Sequence, residues 1–318
     1  MIGLKPVQIR THSKNMSESK IFFIDRATNK IEVEKVYKES YLKFLYGNHF
    51  FSRSLGKFVL PFFIKNPLFS NIYGFIQKQS FTTSKIRNFI NEFHVDETEF
   101  EQPVSAFRSF NDFFIRKLKP EARPIAQGEN RAIIPADGRY YFYQNLANTP
   151  GFIVKNEKFS LEALLQDQQL AQEYQAGSMV LARLCPSDYH RFHFPCDCVP
   201  GQPRRVNGYL YSVNPMAVKQ NIRIFTENKR VITVLKSREF GDILYIEIGA
   251  TNVGTIKETF LPHQPYAKGD EKGYFEFGGS ALILLFKEGA IQFDNDLMDA
   301  TNRGVEIRCL LGQSLGVR

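Results

Sequence analysis

Tryptophan is absent from this 318-residue chain, and cysteine occurs only at positions 185, 196, 198 and 309. Four thiols in a chain of this length are too few for a disulfide scaffold and point to a reducing compartment. Long uninterrupted apolar runs are missing too. The most apolar window, 58–76 (FVLPFFIKNPLFSNIYGFI), is broken by Pro61, Lys65, Asn66 and Pro67. It therefore suits an interfacial hairpin, or a helical hairpin packed on the protein's own core, better than a spanning helix. The first fifteen residues are polar and lack the apolar stretch of a secretory signal. No internal repeat or low-complexity tract is found.

Acidic charge is scarce in one part of the chain only. Residues 1–90 hold 15 Lys and Arg against 5 Asp and Glu, whereas residues 91–318 hold 26 against 28. The whole basic excess belongs to the N-terminal quarter, which is also rich in Phe. That combination suits an anionic membrane surface or nucleic acid. The slightly acidic remainder argues against nucleic acid.

The apolar fraction of 43% and the 30 Phe imply a folded chain with a substantial core. Residues 21–24 and 31–33 have the pattern of a small hairpin. From 41 to 93 the pattern is mostly helical, with Ile86, Phe89, Ile90 and Phe93 on one helix face. The acidic stretch 96–102 has the composition of a linker. Ser109 and Asp112 have capping-box spacing and open a helix carrying Phe110, Phe113 and Phe114. Beyond residue 130, short apolar runs at 179–184, 231–235, 243–248 and 282–286 predict strands, and 161–174 predicts a helix. The expected fold class is α+β: a mainly antiparallel β catalytic domain over 101–318, preceded by a helical, basic, aromatic-rich section over 1–100.

Four motifs could carry chemistry. Gly278-Gly279-Ser280 lies between two β-rich runs, about forty residues before the C-terminus. Glycine allows the positive φ and close approach that a serine hydroxyl needs to attack the preceding carbonyl. Taken alone, the motif is more often a plain turn, and a nucleophile elbow is excluded because Leu282 stands where glycine is required. His190 and His193, in CPSDYHRFHFP (185–195), could serve as acid and base. With Cys196 and Cys198 they also match zinc by residue type, although Cys-x-Cys and His-x-x-His are tighter than usual zinc spacings. Asp137, in PADG (135–138), is an ordinary turn unless a histidine lies beside it to be oriented. Gly249 and Gly254, in GATNVGTI (249–256), could bring backbone N–H groups to an anion but lack nucleotide-binding spacing.

Together with SFNDFFIRKLKPEARPI (109–125) and KGDEKGYFEFGGS (268–280), these motifs resemble phosphatidylserine decarboxylase, in order and spacing, over roughly 105–290. The resemblance implies a self-processing, pyruvoyl-dependent lyase of phospholipid biosynthesis. It carries an Asp137–His193–Ser280 triad and a cut between Gly279 and Ser280, giving a β chain 1–279 and an α chain 280–318 that stay associated. Ser280 would become the pyruvoyl group, which forms a Schiff base with the amine of phosphatidylserine and accepts the electrons released with CO₂. His190 corresponds to the histidine of the decarboxylation step, and no metal is implied. Ala281 departs from the family's usual Thr or Ser. The implied partner is phosphatidylserine in an anionic membrane, approached peripherally, at the cytoplasmic face of the cell membrane; a homodimer stays open. The rival readings are a pyruvoyl decarboxylase of a soluble amino acid and a non-catalytic zinc- or membrane-binding module.

Overall fold

A computed structural model describes residues 21–35, 74–147, 153–154, 157–218, 223–250, 255–278 and 280–318. The described strands begin with β1 (Phe22–Asp25), β2 (Lys30–Val33), β3 (Arg131–Ile133), β4 (Gly138–Tyr143), β5 (Ile153–Val154) and β6 (Glu157–Lys158). Next come β7 (Ser178–Leu184), β8 (Arg191–His193), β9 (Val199–Pro200), β10 (Arg204–Val206), β11 (Arg230–Ser237) and β12 (Gly241–Gly249). The last six are β13 (Ile256–Glu258), β14 (Glu271–Phe275), β15 (Ser280–Phe286), β16 (Gln292–Phe293), β17 (Glu306–Cys309) and β18 (Ser314–Val317).

The apolar runs at 179–184, 231–235, 243–248 and 282–286 are indeed strands, and they form the middle of one large sheet. Its order is β10-β11-β12-β15-β7-β4-β17-β1-β2, with β9 beside β11. All its pairings are antiparallel except β1 with β17. A strand covered on both faces cannot alternate apolar with polar, and β15 (SALILLF) is buried at every position. Its side chains divide by the two-residue period of a strand. Leu282, Leu284 and Phe286 join one apolar layer with Phe192, Phe275 and Leu297. Ala281, Ile283 and Leu285 join the other, which the helices Leu161–Leu165, Gln168–Tyr174 and Ile224–Glu227 cover.

A three-stranded sheet, β13-β14-β8, packs on the first layer. A register shift in β14 between Glu271 and Gly273 marks a bulge at Lys272. The Lys272 ammonium is wholly buried, where it pairs with Glu247 of β12 and donates to Thr233 Oγ1 of β11 at 3.1 Å. The small sheet is thus tied to the large one by charge as well as by apolar contact.

The structure differs from the sequence-based expectation in two places. The helix expected over 161–174 is two helices. Gln166 turns left-handed (φ 46°, ψ 41°) and ends the first, and the Asp167 carboxylate caps the second by accepting from Leu170 N–H at 2.9 Å. The acidic stretch 96–102 is mostly exposed but is pinned to the core at one residue. Phe100 is buried in an aromatic cluster with Phe107, Phe110, Phe113 and Phe114, against which the helix Ser84–Phe93 places Ile86, Phe89 and Ile90. Residues on both sides of position 100 therefore share one cluster, and β1 and β2 share the large sheet. Most of the apolar window 58–76 lies outside the described residues.

Phe113 is fully buried and meets Phe89, Phe100, Phe107 and Phe110 at centroid distances of 5.6–6.0 Å. Phe113→Ala is expected to lower unfolding stability by about 3–5 kcal/mol. Phe81→Ala, at a position 64% exposed, should change it by less than about 0.5 kcal/mol. Equilibrium denaturation checks both; equal effects would contradict the packing described.

Candidate active site

Ser280 opens β15 and stands opposite Gly249 of β12 on one side and Leu184 of β7 on the other. It is wholly buried. The chain reaches it through a sharp turn at Gly278 (φ 143°), a backbone conformation open to glycine and strained for other residues. Gly279, and with it the bond expected to break, lies outside the described residues, as do residues 251–254 of the glycine-containing motif. Upstream, the Phe277 N–H donates to Asn111 Oδ1 at 2.9 Å, and the Phe277 ring packs on Phe110 and Phe114 at 5.0 and 4.9 Å.

The capping box of the helix Phe110–Phe114 thereby bears on the site. Ser109 Oγ accepts from the Asp112 N–H at 3.1 Å, and Asp112 Oδ2 accepts from the Arg108 N–H at 2.9 Å. This short helix supplies both the asparagine and the aromatic rings that grip the approach to Ser280.

His190 reaches Ser280 from the loop between β7 and β8. Its Nδ1 lies 3.3 Å from Ser280 Oγ, its Nε2 lies 2.9 Å from the Cys185 carbonyl oxygen, and its ring stacks on Phe114 at 4.0 Å. A carbonyl oxygen can only accept, so the proton sits on Nε2 and Nδ1 presents a lone pair to the serine. Burial pushes the imidazole pKa down to about 4, against a smaller upward pull from the Cys185 carbonyl. The ring is therefore neutral at physiological pH, in the tautomer that can take a proton from Ser280 or return one to a group at that position.

His193 ends β8 and sits elsewhere. Its Nδ1 donates to the Gly269 carbonyl at 2.9 Å, and its buried Nε2 has no partner. Burial lowers its pKa as well. Asp137 lies nearby, since the His193 N–H donates to the Pro135 carbonyl at 2.8 Å. The Asp137 carboxylate, however, is held by Arg123, from Nη2 at 2.7 Å and Nε at 3.0 Å, and by the Leu311 N–H at 2.8 Å. The structure thus brings Ser280 and His190 together, while Asp137 and His193 are neighbours without a hydrogen bond between them.

Arg123, Asn111 and the Cys185 carbonyl were not singled out from sequence, and Phe114 was marked only as part of its helix. The three side chains lie inside SFNDFFIRKLKPEARPI, but a carbonyl leaves no mark in residue type. Ala281 points away from the serine face, into the helix-covered layer with Ile283 and Leu285. Cys196 and Cys198 are buried in the other layer. Among the described residues, no three His, Cys, Asp or Glu side chains are placed to share a metal ion.

Residues 110–317 match the family model of phosphatidylserine decarboxylase. A phosphatidylserine decarboxylase proenzyme of Chlamydia pneumoniae is 53% identical over 92% of this chain and 96% of its own length. The proenzymes of Chlamydia felis and Chlamydia caviae are 52% and 50% identical, each over 93% of this chain and 98% of their own.

The neutrality of His190 has a consequence for stability. Its pKa is about 4 in the folded chain against an ordinary imidazole value of 6.5, so as pH falls the unfolded chain takes up the proton first. The stabilisation is full above about pH 6.5 and is lost progressively toward pH 4, amounting to about 3 kcal/mol. Thermal unfolding followed from pH 7.5 to 4.5 should show this loss, and His190→Gln should flatten it. Identical slopes in the two proteins would mean that His190 is not held neutral.

Proposed function

The chain belongs to the phosphatidylserine decarboxylase family, and on that premise we propose that it decarboxylates phosphatidylserine to phosphatidylethanolamine through a pyruvoyl group made from its own Ser280. Membership makes it an enzyme, a carboxy-lyase of phospholipid biosynthesis. The observation that carries the pyruvoyl reading is the 3.3 Å contact between a wholly buried serine and a neutral imidazole with its lone pair turned toward it.

The residues fit the making of the group. A serine hydroxyl becomes a nucleophile when a base takes its proton. Ser280 Oγ attacks the Gly279 carbonyl carbon, the C–N bond breaks, and the acyl group moves to oxygen as an ester while nitrogen gains the proton. Loss of the Cα proton then expels the Gly279 carboxylate and leaves dehydroalanine at 280. Its imine tautomer takes up one water and releases ammonia, so the new chain begins with a ketone. That ketone supplies an electron sink for the pair freed when the substrate's CO₂ departs.

Two imidazoles divide the proton transfers. We carry the base of the cleavage to His193 from the family resemblance; its buried Nε2 has no hydrogen-bond partner and its Nδ1 proton is fixed by Gly269, while the ring that meets Ser280 in the uncut chain is that of His190. Asp137 would assist it through its charge, because Arg123 and Leu311 occupy its oxygens. His190, which stands at residue 280, is assigned to the carboxylate or the protonation of the carbanion in the decarboxylation step. The same short contact favours a second reading in which His190 is itself the cleaving base.

The lipid would be met at a membrane surface. Phe75 and Phe81 are 65% and 64% exposed, and they flank Lys78, which pairs with Glu276 at 2.7 Å, close to the Gly278 turn. Two exposed rings beside the site, in the basic N-terminal quarter, suit peripheral association with the anionic cytoplasmic face of the cell membrane. No helix among the described residues is long and apolar enough to cross a membrane.

Intact mass spectrometry of the purified protein should find two chains, 1–279 and a 280–318 fragment with a pyruvoyl start, and a single chain for Ser280→Ala. His193→Ala should remain uncut. His190→Ala should be cut but lose about 10²–10⁴-fold in decarboxylation rate. A wild type that is uncut yet fully active would overturn the pyruvoyl reading, and an uncut His190→Ala beside a cut His193→Ala would exchange the two histidine roles.

A further inference from the structure

The bare Nδ1 of His190 depends on where the Cys185 carbonyl points, and a cluster of buried charges around that peptide fixes it. Cys185 follows the end of β7. Its carbonyl oxygen accepts from two donors, His190 Nε2–H at 2.9 Å and the Asp188 N–H at 2.8 Å. Its own N–H donates to Asp188 Oδ2 at 2.8 Å. Asp188 therefore holds the Cys185 peptide from both sides, through its main chain and through its carboxylate.

The carboxylate is anchored in turn. Both oxygens accept from Arg139 Nη1 of β4, and the pair is buried, with side chains 5% and 8% exposed. Glu34, beyond β2, lies 3.6 Å from Arg139 Nε. From the other side, Arg116 Nη2 donates to the Ser187 and Asp188 carbonyls at 3.2 and 3.3 Å. Two buried arginines thus grip one four-residue turn. A carboxylate and a guanidinium both lose hydration on burial, and apolar side chains could close a turn without that loss. What the charged pair adds is direction: it sets one orientation of the peptide that receives the His190 proton.

We propose that Asp188, anchored by Arg139, is a positioning residue that fixes the tautomer of His190 and so aims its Nδ1 lone pair at residue 280. The importance of that aim rests on the pyruvoyl reading; the tautomer itself does not. When Asp188 is replaced by Asn, one of the two side-chain atoms facing Arg139 becomes an NH₂ group, which repels the guanidinium. The side chain then turns, the Cys185 peptide loses its hold, and the imidazole proton is free to occupy either nitrogen.

The test reads the ring nitrogens directly. ¹⁵N NMR of histidine-labelled Ser280→Ala protein, which keeps residue 280 from reacting, should show His190 with a bare Nδ1 and a protonated Nε2. Adding Asp188→Asn should give a mixture of the two tautomers. In the Ser280 background, Asp188→Asn should lower kcat at least tenfold per processed chain, counted by mass, with KM within twofold. Thermal stability is measured alongside, because a purely structural role would lower Tm and leave the tautomer and kcat in place. That outcome overturns the proposal. Should Asp188→Asn not accumulate as folded protein, Arg139→Lys keeps the charge but changes the grip, and an unchanged tautomer and kcat there overturn it equally. A wild type without decarboxylase activity but with the expected tautomer shift would refute the catalytic reading and leave the positioning role standing.

Discussion

A carbonyl oxygen has lone pairs and no proton to give, and this constraint decides what the centre of the molecule can do. Because the Cys185 carbonyl receives the His190 Nε2 proton, the other ring nitrogen is bare where it meets Ser280. Burial beneath Phe114 keeps the ring uncharged. A solvated imidazole would exchange tautomers and protonate within the physiological range. The surrounding fold holds this one ring still: the central sheet supplies the serine, the helix Phe110–Phe114 supplies the stacking surface, and the turn after β7 supplies the acceptor.

Much of the central sheet was legible because strands covered on both faces carry near-continuous apolar runs, and β7, β12 and β15 show such runs despite Arg183 in β7 and Glu247 in β12. The capping box at Ser109 and Asp112 was equally plain, since its side chains bond locally. Long-range features were not visible. Nothing in residues 22–25 indicates a parallel pairing with β17 nearly 300 residues away. The break at Gln166 and Asp167 was hidden because the apolar pattern continues across it.

The site shows the same division. Ser280, His190, His193 and Asp137 stood out by motif and family resemblance, and the structure joins them as two pairs, Ser280 with His190 and Asp137 beside His193. Which histidine meets the serine could not be read from the motif. His190 precedes β8 and His193 ends it, so two residues, three steps or about 10 Å of extended chain, separate them, and an odd number of steps turns their side chains to opposite faces. Sequence spacing alone says that two imidazoles are near each other; only the path of the strand tells which one turns inward to β15. The arginines at 116, 123 and 139 were invisible for a related reason, because a buried guanidinium is recognised by its partners and not by its neighbours in the chain.

The position of β15 has an implication of its own. This strand is hydrogen-bonded along its whole length to β12 on one side and β7 on the other, and β17, further along the chain, sits between β4 and β1 with Glu306 bound to Arg183 of β7. A break just before residue 280 would leave the C-terminal piece woven through the middle of the sheet, unable to depart unless the whole layer came apart. Assembly must then precede scission: once severed, the two pieces could regain this arrangement only by threading a strand back between two already paired neighbours. The molecule would have a single opportunity to fold, and it would be spent before the first turnover.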